Sequence, residues 1–214
     1  LILRRAFACL ALLVIVLCTC GALYNALALS HLRKRYPPPG RFVLVDGHRM
    51  HLYCTGLGTP TVVLESGGAE SWLVWGKVQP ALSRITRVCS YDRAGLGWSE
   101  SMPGPRDAAH VTTQLHALLT QAGIHGPLVL MGHSAGGLYI RAYATRFPTD
   151  VAGLVFVDAT TPAGFREMPA SMAALDHHGA VQMAVFQAMI ALGIPRMLDQ
   201  CDRPPPGFEA TADL

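Results

Sequence analysis

The stretch that most constrains this chain is Leu128-Val-Leu-Met-Gly-His-Ser-Ala-Gly-Gly137. Residues 128–131 form an apolar run bounded by Pro127 and Gly132, which reads as a short buried strand. Gly132-His133-Ser134-Ala135-Gly136 then follows the pattern G-x-S-x-G, and Leu138 to Phe147 is a helix-compatible stretch stopped by Pro148. A serine at a sharp strand-to-helix turn must adopt a strained backbone. Glycines two places to either side let the chain pass without Cβ clashes. The helix start adds a positive dipole end and free N–H groups where a negatively charged oxygen can be held. Ser134 is therefore the candidate nucleophile, with the N–H of Ala135 beside it.

A second feature lies at the other end of the chain. Residues 6–29 carry no charge, and Arg4, Arg5, Arg33, Lys34 and Arg35 flank them. At ~1.5 Å per residue such a helix is long enough to cross a bilayer of ~30 Å. Ala26-Leu27-Ala28 resembles a signal-peptide cleavage site, but the stretch exceeds a usual signal core, so an uncleaved anchor is favoured. All 14 acidic residues lie beyond Pro37, so the formal charge of +3 belongs to the flanks of the apolar stretch. A juxtamembrane basic excess gives no reason to expect a nucleic-acid partner. Membrane contact through residues 6–29 is expected instead.

Between these features the 214 residues divide into an anchor with basic flanks (1–36), a core of alternating strands and helices (37–160) and a helical, Met- and Ala-rich end (161–214). Tyr36-Pro-Pro-Pro-Gly40 is a stiff spacer. Phe42–Val45 and Met50–Cys54 flank Asp46-Gly47 and predict a hairpin. Thr61–Leu64, Arg87–Tyr91 and Val151–Val157 read as further strands, with a helix from about Trp72 to Ile85. Asp107 caps another helix, whose Val111, Leu115, Leu118, Leu119 and Ala122 share one face. A hairpin followed by alternating strands and helices implies an α/β fold, a mostly parallel sheet covered on both faces.

Three motifs in this order resemble the N-terminal part of an α/β-hydrolase-fold protein of the lipase, esterase and peptidase kind. Gly67-Gly68 follows the third strand, where that family has its oxyanion loop. Tyr91-Asp-Arg-Ala-Gly-Leu-Gly-Trp-Ser99 is similar to its Asp-x-x-Gly-x-Gly-x-Ser loop, and Gly132 to Gly136 to its nucleophile elbow. Ser66-Gly67 stands where the family usually has His-Gly, a departure that still leaves a backbone donor. The resemblance implies that Ser134 forms an acyl-enzyme with a carboxylic ester or related acyl substrate. The N–H groups of Ala135 and Gly68, with Ala69 as the neighbour to check, would hold the oxyanion. Asp92 and Arg93 are expected to fix their loop. Serine at the elbow argues against the dehalogenases and epoxide hydrolases of this fold, which use aspartate there.

The family's acid and histidine come later in the chain. His133 is too close to turn back on Ser134, and His110, His116 and His125 precede it on what reads as surface. His177 and His178 fall in the expected cap, and Asp158, at the end of the sixth strand, is a minor candidate acid. The expectation is a truncated, membrane-anchored serine hydrolase whose base and acid are absent. The alternative is a catalytically inactive membrane-anchored binding protein. No His or Cys cluster has metal-ligand spacing, and no cofactor is implied. In the family's sheet order Cys54 and Cys89 lie on adjacent strands, either as free thiols, the preferred reading, or as a disulfide. A disulfide would put the domain on the non-cytoplasmic side.

Overall fold

The computed structural model describes residues 2–166 and 175–198. They fall into two compact units, one spanning Pro38–Glu167 and the other joining the first 37 residues to those after Glu167.

The first unit is a six-stranded sheet. Strands β1 (Arg41–Val45), β2 (His48–Thr55), β3 (Thr61–Glu65), β4 (Val88–Tyr91), β5 (Leu128–His133) and β6 (Val151–Val157) take the spatial order β1-β2-β4-β3-β5-β6. The first three in that order pair antiparallel, and β4, β3, β5 and β6 run parallel. The hairpin forms because Asp46 and Gly47 both accept positive φ, 47° and 80°, the geometry a two-residue turn needs. Along β1, Val43 and Val45 point inward while Leu44 faces out. β3 and β4 are buried along their whole length, as parallel strands covered on both faces must be.

Helices α3 (Ala108–Gln121) and α4 (Gly136–Arg146) cover one face. There Leu115, Leu118, Leu119, Ile140 and Tyr143 pack with Met50, Leu52, Val63 and Leu130. Asp107 caps α3 as expected, its carboxylate accepting the His110 N–H at 2.8 Å. The other face is smaller, with Trp75 and Leu82 against Val62, Leu64 and Val88. The single helix expected there is instead a 3₁₀ turn (Trp72–Trp75) followed by α2 (Val78–Leu82). Gly76 is a poor helix former and Pro80 has no N–H to carry a helix back through it. Cys54 and Cys89 are paired in register on β2 and β4 and form a disulfide, against the free thiols preferred from sequence.

In the second unit, α1 (Ile2–Arg35) is long and apolar enough to cross a membrane from Phe7 onward. The later helices are α5 (Pro162–Arg166) in the sheet unit, then α6 (Leu175–Ala191) and α7 (Ile194–Met197), which belong with α1. Cys201 and the Pro204-Pro-Pro-Gly207 tail lie outside the described residues.

Candidate active site

Ser134 sits between β5 and α4 with φ 49°, a left-handed conformation that costs a non-glycine residue on the order of 1–3 kcal/mol. Close packing enforces it. A Cβ on Gly132 would lie 2.7 Å from the Gly136 backbone, and one on Gly136 would lie 2.5 Å from the Glu65 carbonyl oxygen. The Ser134 N–H donates to Val157 O at 3.2 Å, and its carbonyl accepts from the N–H groups of Gly137 and Thr160 at 3.0 and 2.8 Å. The hydroxyl is partly exposed and makes no hydrogen bond among the described residues.

The loop after β3 meets this turn. A Cβ placed on Gly68 would be 3.9 Å from the Ala135 Cβ. Among the described residues, the N–H groups of Gly68, Ala69 and Ala135 have no acceptor. Unpaired N–H groups are rare in folded chains, and a set beside a serine can receive a developing negative charge.

What aims the loop is Arg93. Its guanidinium donates to the carbonyls of Ser66 (2.6 Å), Gly67 and Gly68 (2.7 Å). Because C=O and N–H point oppositely across a peptide plane, holding the carbonyls of Gly67 and Gly68 turns the N–H groups of Gly68 and Ala69 away from Arg93. Arg93 is held in turn by Glu65, which also accepts the Tyr91 hydroxyl, and it stacks 5.1 Å over the Tyr139 ring. Burial pushes the Glu65 carboxyl above its usual range, although the charge of Arg93 and the bonds from Tyr91 and Arg93 pull the other way. Tyr91 is driven well up by burial and by the Glu65 charge.

A second carboxylate ties the loop to the elbow. Glu70 accepts the Gly67 N–H at 2.7 Å and bonds His133 Nδ1 at 2.9 Å. Burial raises the Glu70 carboxyl, but these bonds outweigh it and leave the group below its usual value. His133 thus faces Glu70. Asp92 accepts the N–H groups of Trp72 (2.8 Å) and Trp98 (3.0 Å) and bonds the fully buried His51 at 2.9 Å. It fixes loops rather than facing the serine.

Of the remaining candidates, His110 and His125 are exposed. His116 is partly exposed, stacking on Phe147 at 3.9 Å and bonding the Tyr143 hydroxyl at 3.1 Å. Asp158 ends β6 exposed, with φ 42°. His177 and His178 fall on α6, and their side chains lie outside the described residues. Among the described residues no group of three or more His, Cys, Asp or Glu side chains is arranged to hold a metal. A small cavity beside Gly68 is lined by Arg93, Leu96, Met102 and Tyr139. A larger one, between the β1–β2 turn and α3, shares no lining residue with the elbow.

Sequence reasoning did not single out Glu65, Tyr91, Glu70 or His51. The available signal was a lone glutamate closing an apolar strand, with an arginine two residues beyond the next strand.

Residues 60–191, more than half of the chain, match the alpha/beta hydrolase fold family, and the chain belongs to it. It is 34% identical over 127 residues to 2-hydroxy-6-oxo-2,4-heptadienoate hydrolase of Pseudomonas putida, covering 56% of this chain and 44% of that one. An uncharacterized vacuolar membrane protein of Saccharomyces cerevisiae is 33% identical over 104 residues, 47% of this chain and 16% of that one. The solved structure of the epoxide hydrolase CorEH superposes with a TM-score of 0.52 at 30% identity, covering 56% of this chain and 41% of that one. The chain spans half or less of the length of the curated relatives it matches.

Proposed function

We propose that this protein is a serine hydrolase acting on a carboxylic ester or related acyl substrate. The observation that carries the reading is Ser134 at positive φ beside the unpaired N–H groups of Ala135 and Gly68. In the proposed reaction Ser134 Oγ bonds to the acyl carbon while Gly68, or its neighbour Ala69, and Ala135 hold the oxyanion. The base takes the serine proton and passes it to the leaving oxygen or nitrogen as the C–O or C–N bond breaks, and water, deprotonated by the same base, then releases the acid and the proton returns to Oγ. The reading assigns the general base and its acid to residues outside the described ones. Some relatives are named epoxide hydrolases, but a serine at the elbow favours acyl chemistry over the aspartate-based chemistry that the resemblance associates with that name.

The same reading anchors the protein to a membrane through residues 6–29 of α1, a view supported by its length and composition and by the vacuolar membrane relative. The Cys54–Cys89 disulfide favours a non-cytoplasmic position for the sheet unit, since such bonds persist in oxidising compartments. Thiol counting on denatured, unreduced protein tests that position; a titratable Cys54 or Cys89 contradicts it. No cofactor, metal or nucleic acid enters the proposal.

The test is hydrolysis of p-nitrophenyl esters by the protein in membranes from its native source. Turnover abolished by Ser134→Ala supports the enzyme. Turnover unchanged by that substitution, or absent from the native protein, favours a membrane-anchored binding protein with this fold.

A further inference from the structure

In the unit built from α1, α6 and α7, one face of α1 is unlike the others. Gly21 is buried and Asn25, Ala28 and Leu32 are partly buried, spaced four, three and four residues apart, while most of the helix is exposed. The end of α6 packs on this face. The Asn25 side-chain amide donates at 3.0 Å to Ile190 O, which also accepts the Gly193 N–H, and at 3.3 Å to Ala191 O, which has no other donor among the described residues. A Cβ on Gly21 would lie 2.8 Å from Leu192 O. Gly193, at φ 72°, turns the chain against Asn25 and Tyr24.

The chemistry of this contact suits a lipid interior. The last carbonyls of a helix have no partner within it, and in water they need none from the protein. In hydrocarbon each must be satisfied, and a helix-borne asparagine beside a small residue is how membrane helices do so. Asn25 stands eight residues before Arg33, roughly 12 Å into the apolar layer at ~1.5 Å per residue. Residues 179–195 carry no charge, and Val181, Val185, Phe186 and Ile190 remain exposed on α6.

We infer that α6 is a membrane element: it lies in the acyl layer beside α1, with Asn25 capping its end and Val181, Val185 and Phe186 facing lipid. This rests on reading α1 as membrane-embedded, and it makes the segment after the sheet a lipid-bound structure rather than a cap closed off from the bilayer.

Photolabelling of the full chain in membranes with a lipid-soluble diazirine, followed by peptide mapping, tests it. Peptides from residues 181–191 should take up label to within about threefold of those from α1. Label confined to α1 would overturn the inference while leaving the anchor intact. Label in neither would overturn both.

Discussion

Ser134 and Asp158 end neighbouring parallel strands in the same left-handed conformation, φ 49° and 42°, yet they are held in opposite ways. At Ser134 the backbone N–H and C=O are both bonded, and glycines on either side are in contact with backbone. Asp158 is exposed, and its carboxylate has no partner among the described residues. Aspartate tolerates this region because its short polar side chain accommodates it locally, whereas serine is kept there by its surroundings. A positive φ thus points to chemistry only where neighbouring groups over-determine it.

The largest expected effect sharpens this contrast. Arg93→Ala strands the buried Glu65 carboxylate and releases three loop carbonyls, and should cost about 3–5 kcal/mol in urea unfolding. Adding Glu65→Gln should recover part of that loss; no recovery would mean the two are not coupled. Gly136→Ala comes next, at about 1–3 kcal/mol, because its Cβ meets the Glu65 carbonyl at 2.5 Å and backbone must shift.

Smaller is the effect at Glu70. Its folded-state pKa lies below the usual 4.5, so its stabilisation is complete above about that pH and is lost as pH falls through the lower folded value. Glu70→Gln should therefore cost no more than ~0.5 kcal/mol at neutral pH, since the side chain is a third exposed, and the difference from wild type should vanish in acid. A loss that persists at low pH would point to packing instead. Asp158→Ala should change stability by less than about 0.5 kcal/mol in the same assay. A larger loss would erase the distinction between the two strand ends.

The elbow was legible because an apolar run, a glycine-flanked serine and a helix stand next to one another in the chain. The hairpin and the Asp107 cap were legible for the same reason: their determinants are local. The Glu65–Tyr91–Arg93 network was not, because it exists only once β3 lies beside β4, a parallel pairing that no local pattern specifies. His51 read as one more residue of a hairpin strand, and only the antiparallel pairing of β2 with β4 sets Asp92 opposite its ring. The helix expected over 72–85 breaks at Gly76, between the 3₁₀ turn and α2, because the apolar periodicity was followed past a glycine that ends the first turn.

Under the proposed function, the buried network builds a competent serine and oxyanion site at Ser134. A fluorophosphonate probe applied to native membranes tests it most directly, because the probe bonds only to an activated serine and its phosphonyl oxygen occupies the oxyanion position. A single labelled residue, Ser134, is expected, with labelling abolished in Ser134→Ala and slowed about tenfold or more in a folded Arg93→Lys variant. Labelling that survives Ser134→Ala, or a native protein that resists the probe, would contradict it.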